Sequence, residues 1–86
     1  MRLYKHPKIG KLYHIEIPKS SKLVIDDVEY CSHDIFLIVS KPKKRTETIG
    51  QKNHTYYGIY AIVNDKKVLI EYYASQQKFF KEIVET

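Results

Sequence analysis

IYAIVNDKKVLIEYY, residues 59–73, is the stretch whose reading decides the fold. Two apolar and aromatic runs flank the polar segment NDKK. Asn64 and Asp65 tolerate the left-handed backbone angles of a tight reversal, so the segment predicts an antiparallel hairpin. Strand side chains alternate between faces, and the pairing sorts them into two sets. Tyr57, Ile59, Ala61 and Val63 fall with Val68, Ile70 and Tyr72. Tyr56, Tyr60 and Ile62 fall with Leu69, Glu71 and Tyr73. The first set is the better core; the second then needs a cover, which the C-terminal tail, a second copy or a partner could supply.

Working outward, HTYYGIYAIV (54–63) forms the first arm of that hairpin, with Gly58 marking a bulge or a close approach. The preceding segment, KPKKRTETIGQKN (41–53), contains Pro42 and Gly50 and shows no apolar periodicity, so it reads as a long basic loop. IFLIVS (35–40) is apolar at five successive positions and too short for a helix, the pattern of a strand buried on both sides. LVIDDVEYCSHD (23–34) reads as a long acidic excursion with one brief strand. KLYHIEI (11–17) alternates, placing Tyr13, Ile15 and Ile17 on one face of a first strand. Residues 1–10, with Pro7 and Gly10, form a lead-in arm. For ASQQKFFKEIVET (74–86) two readings stand: a short amphipathic helix, or a 3₁₀ turn followed by a last strand with Ile83 inward.

The order of these pieces resembles the SH3-like small barrel, in the broad sense that includes Tudor, KOW and many short phage and plasmid proteins. The residues that carry the resemblance are IGKLYHI (9–15), YGIYAIVNDKKVLIEYY (57–73) and ASQQKFFKEIVE (74–85). It implies a mainly β fold: one domain over residues 1–86, a small five-stranded antiparallel barrel closed by a C-terminal 3₁₀ turn or short helix. It also implies a binding scaffold whose loops choose the partner. The acidic and Trp-Pro ligand residues of the proline-peptide-binding members are absent, as is a complete methyl-lysine cage.

With 86 residues the chain is long enough for one core, and 29% charged residues with 43% hydrophobic ones exclude a disordered chain. The formal charge of +5 is unevenly spread. Asp26, Asp27, Glu29 and Asp34 make an acidic patch. Residues 41–52 carry five basic side chains against Glu47 alone. Lys41, Lys43, Lys44 and Arg45 could pair with consecutive phosphates, Arg45 bidentately, with Lys52 beyond them. Tyr56, Tyr60, Leu69 and Tyr73 would add the aromatic and apolar face that unpaired bases stack on. Gly50 and Asn53 would let the segment conform to its target.

Cys31-Ser32-His33-Asp34 places thiol, hydroxyl, imidazole and carboxylate side by side, but alternation sends neighbours to opposite faces and nothing makes them converge. Cys31 and His33 with His14 or His54 lack the paired spacings of a zinc site. No cofactor is expected. The single Cys31 fits a reducing compartment, there is no apolar run long enough to span a membrane, and MRLYKHPKIG carries no signal-peptide pattern, so cytoplasm is expected, a host's if the protein is viral. These observations lead to a non-enzymatic small binding protein of the phage or mobile-element kind, monomer or homodimer, acting on nucleic acid or a nucleic-acid-handling complex. Two alternatives are an inhibitor docking on a host protein through the acidic patch and a toxin-type endoribonuclease. The last requires a base, an acid and an Arg brought together, and no such set is legible.

Overall fold

The alternating apolar pattern around Asn64-Asp65 folds as the expected hairpin in the computed structural model, which describes residues 6–84. Residues 1–5 of the lead-in arm, and residues 85–86 at the end of the expected last strand, lie outside the described residues. The strands are β1 (Leu12–Ile15), β2 (Leu23–Ile25), β3 (Val28–Tyr30), β4 (Phe36–Ile38), β5 (Lys43–Ile49), β6 (Lys52–Val63), β7 (Lys66–Tyr72) and β8 (Phe80–Glu82), with a 3₁₀ turn, Ala74–Phe79, between the last two. The fold is mainly β: a six-stranded sheet ordered β5-β6-β4-β1-β8, with β7 on β6, and a separate β2–β3 hairpin. Among the described residues no helix is long and apolar enough to cross a membrane.

In the β6–β7 hairpin, Asn64 and Asp65 take φ of 50° and 63°. Both values are positive, as a two-residue turn matching the strand twist demands. The register pairs Tyr57 with Tyr72, Ile59 with Ile70 and Ala61 with Val68. That set faces inward: Ile59 and Ala61 are fully buried and Ile70 and Tyr72 nearly so. Phe36, Ile38, Tyr13, Ile15, Ile25 and Tyr30 complete the core. Burying side chains of this size contributes about 1.5–3 kcal/mol each.

β6 is long enough to serve two partners along one edge. Its C-terminal half pairs with β4 and its N-terminal half with β5, while β7 takes the other edge. Between the β4 and β5 pairings the register slips. Residues 39–42 stand opposite residues 59–60, because Ile38 pairs with Ala61 and Lys43 with Gly58. This bulge absorbs Pro42, which has no N–H to give the ladder. Val39 N still donates to Tyr60 O (2.9 Å), and Ser40 Oγ accepts from Tyr60 N (2.8 Å).

Several expectations are corrected. Residues 41–53 are not a long loop. Lys43–Ile49 is a strand that reverses at Gly50 (φ 65°) and Gln51 and runs back along β6. It stands off the core with all its residues exposed, so no apolar alternation marks it in the sequence. IFLIVS is buried on one face only: Phe36 and Ile38 are at 0% exposure, Ile35 at 49% and Val39 at 37%. The acidic excursion holds two strands rather than one, turned at Asp26 and Asp27, which both adopt positive φ. Gly58 is no bulge; it sits in register between Lys43 and Glu71.

For the tail, a 3₁₀ turn leads into a strand as in the second reading, but the inward residue of that strand is Phe80 rather than Ile83, which lies just past its end. β8 pairs with β1, and Ile83 N donates to Leu12 O (2.8 Å). Phe79 and Phe80 pack on the core, with Phe80 edge-on to Tyr13 and Tyr72. The tail therefore plugs the core and leaves the outer face of the hairpin open. Tyr60, Ile62 and Tyr73 remain 43%, 38% and 49% exposed.

Candidate functional site

Paired residues in an antiparallel ladder share a face, so the register carries the outer face of β6 across both neighbours. On it, Lys43 lies beside Gly58 and Glu71, Arg45 beside Tyr56, Tyr60 beside Leu69, and Ile62 beside Lys67. Lys44 pairs with Tyr57 and therefore points to the other side. Of the nine residues nominated for binding, Lys41, Lys43, Arg45, Tyr60 and Leu69 converge on one feature: a notch of about 160 Å³ above Gly58, completed by Ser40. Lys52 sits by the β5–β6 reversal opposite Ile49, away from the notch.

Two backbone features make the notch. Gly58 leaves a gap in the row between Lys43 and Glu71, and a Cβ built there would lie 3.4 Å from Leu69 Cδ1. The bulge at 39–42 carries Lys41 and Ser40 to its rim. Its lining therefore combines Gly58, Leu69 and Tyr60 with the cationic side chains Lys41, Lys43 and Arg45. Lys67 Nζ adds a further cation, 4.8 Å from the centroid of the Tyr60 ring. Among the described residues the one ion pair is Lys22–Glu29 at 3.5 Å, so no described carboxylate lies within ion-pair distance of Lys41, Lys43 or Arg45.

The same face changes character toward its far end. Tyr56 and Tyr73 line a second cleft of about 260 Å³ with Glu47, His54, Glu71 and Gln76. Tyr73 is thus grouped with carboxylates, while Tyr56 stands between them and Arg45. The outer face is polarised, basic over Gly58 and acidic beside Tyr73.

The acidic residues nominated for a protein contact are divided. Asp26 and Asp27 occupy the exposed tip of the β2–β3 hairpin, and Glu29 pairs with Lys22. Asp34 is committed to a turn: its Oδ2 accepts from Cys31 N (2.9 Å), and its N–H donates to Cys31 O (3.2 Å). That turn spends the carboxylate on its own backbone. His14 Nδ1 lies 3.2 Å from Asp34 O, while Cys31 and His33 are exposed. Among the described residues no three His, Cys, Asp or Glu side chains gather as metal ligands.

The groups with displaced pKa values lie away from the notch. His6 is pulled down by burial, and Tyr72 is pushed up by burial and then by neighbouring Tyr57. Tyr13 is raised, chiefly by burial, against the hydrogen bond it accepts from Lys8 N. All three sit where the lead-in arm docks on the core, with Pro7 fully buried.

Sequence reasoning missed Ser40, Gly58 and Lys67 as parts of the site. The Asn64-Asp65 turn does place Lys67 across from Ile62, two rungs from Tyr60 and on the same face, so that signal was available. The approach of β5 to Gly58 was not, because a segment read as loop has no register. No protein-family model, curated protein or solved structure matches this chain.

Proposed function

We propose that this protein is a non-enzymatic binding module that holds nucleic acid on the outer face of β5–β6–β7. The observation that carries this reading is the convergence of Lys41, Lys43 and Arg45, with no ion pair to them among the described residues, beside the exposed Tyr60. A polyanion neutralises such a cluster, and the release of its counterions drives binding. Arg45 suits a phosphate geometrically, since its planar fork offers parallel donors. The acidic cleft beside Tyr73 would repel the same ligand, which confines the contact to the Gly58 end.

For the scaffold we propose an SH3-like small barrel. Its support is the strand order, the β2–β3 excursion after β1, the β6–β7 hairpin, and a 3₁₀ turn leading to a last strand on β1. The contact between Tyr72 on β7 and Phe80 on β8, with ring centroids 5.1 Å apart, supports a sheet curled back on itself.

Titration of labelled single-stranded and duplex oligonucleotides across a range of salt tests the function. Three phosphate contacts to a single strand predict a log–log salt slope of about −2, and Lys43→Ser or Arg45→Ser reduces it by about 0.7 each. Lys44→Ser, whose side chain points to the opposite face, leaves the slope nearly unchanged. Absence of binding to any nucleic acid at low salt would overturn the reading.

A further inference from the structure

We infer that the notch over Gly58 seats one unpaired base of a single-stranded nucleic acid, with the flanking phosphates on Lys41, Lys43 and Arg45. This rests on the polyanion reading above and narrows it to a strand whose bases are free. The notch differs from a simple phosphate site in its lining. A phosphate site needs donors alone, whereas here Gly58, Leu69 and Tyr60 line the notch together with Lys41, Lys43 and Arg45, so apolar and aromatic surface adjoins the cations. Apolar and aromatic surface beside cations matches a nucleotide: the flat base packs on the former and its flanking phosphates pair with the latter.

The competing cation does not block the slot. Lys67 covers the Tyr60 ring through a solvent-exposed cation–π contact, which is weak, and its flexible stem lets a base displace it. Once displaced, its ammonium group becomes available to a phosphate. A duplex lacks the feature the notch would take, because its bases are stacked and paired. Ser40 Oγ accepts from Tyr60 N and keeps its O–H to donate, so a 2′-hydroxyl would gain at most one neutral hydrogen bond there, a few-fold in affinity. Single-stranded DNA and RNA are therefore expected to bind within a few-fold of each other.

Fluorescence anisotropy on the full chain tests this with four probes: a short oligothymidylate, the matching oligouridylate, a duplex of the same length, and an abasic strand with the same phosphates. The two single strands are expected to bind within a few-fold of each other and about tenfold tighter than the duplex or the abasic strand. Gly58→Val fills the notch with a residue that favours strands, at a backbone position without positive φ. It should cost about tenfold on the single strands and nothing on the duplex. Gly58→Ala and Tyr60→Ala, each checked by thermal melting, provide the same comparison if the valine variant fails to fold. If the abasic strand binds as tightly as oligothymidylate, or the Gly58 and Tyr60 variants keep wild-type affinity for single strands, the seated base is wrong while the polyanion reading stands. If none of the probes binds, both fall together.

Discussion

Ser40 and His6 are single side chains on which larger features turn. The Ser40 hydroxyl oxygen takes the Tyr60 N–H that the bulge leaves without a ladder partner, and so holds the strand bent where Lys41 reaches the notch. His6 anchors the lead-in arm, with Nδ1 2.8 Å from Tyr72 Oη and its ring edge-on to Tyr57 at 4.5 Å. The Gln77 amide nitrogen lies 3.5 Å from His6 Nε2, and Gln77 Oε1 is buried without a partner. In that contact the amide N–H donates to an unprotonated His6 Nε2, while Nδ1–H donates to Tyr72 Oη. That arrangement needs a neutral imidazole, in keeping with the lowered pKa caused by burial. With the folded-state pKa below the ordinary 6.5, the unfolded chain binds more protons in the interval between the two. The His6 contribution is thus complete above about pH 6.5, declines as the pH falls through that value, and levels off below the folded-state pKa. Urea midpoints taken between about pH 8 and pH 5 should show this decline, and His6→Gln should flatten it.

Among the elements, three two-residue reversals set the hairpin registers, and those at Asn64-Asp65 and Gly50 assemble the site. Asn64-Asp65, Asp26-Asp27 and the Gly50 turn all use positive φ. Asn and Asp visit that region at low cost and β-branched residues do not. Asn64→Val should therefore destabilise the protein by about 1–2 kcal/mol in chemical denaturation, although the side chain is exposed and touches no core. β5 is the element most easily mistaken. KKRTETI has the charge of a loop, but its threonines and Ile49 suit a strand, and its ladder with Lys52–Gly58 replaces the burial that strands usually rely on. Lys43, Lys44 and Arg45 also discourage edge-to-edge pairing with another chain. This is a structural use of the same charges that the function would exploit.

At the scale of the whole molecule, the decisive property is how charge is arranged over one face. The excess of +5 predicts attraction to polyanions but no location. Folding gathers Lys41, Lys43 and Arg45 over Gly58 and places Glu47 and Glu71 around the neighbouring cleft. Glu71 stands across the ladder from Gly58, within reach of the field at the notch. Glu71→Gln is accordingly expected to tighten oligonucleotide binding by about twofold at low salt, with the gain fading as salt is raised. An unchanged or weakened affinity would mean that the ligand lies elsewhere on the surface.

The sequence by itself determined the hairpin at 57–73, its inward face, the tight turn at Asn64-Asp65, and the mainly β character of the chain. These follow from local rules, since a period of two and a turn residue at the right offset act over neighbouring positions. Only the tertiary structure decided that Lys43–Ile49 is a strand, that Lys44 parts from Lys43 and Arg45, and that Gly58 lines a notch. Those outcomes depend on a register between segments with no apolar pattern to align them, and on a bulge whose two extra residues are visible only when β4 and β5 are laid against one partner. Alternation foretells which side chains share a face within a strand; which strands lie beside one another is chosen by the packing of the whole chain.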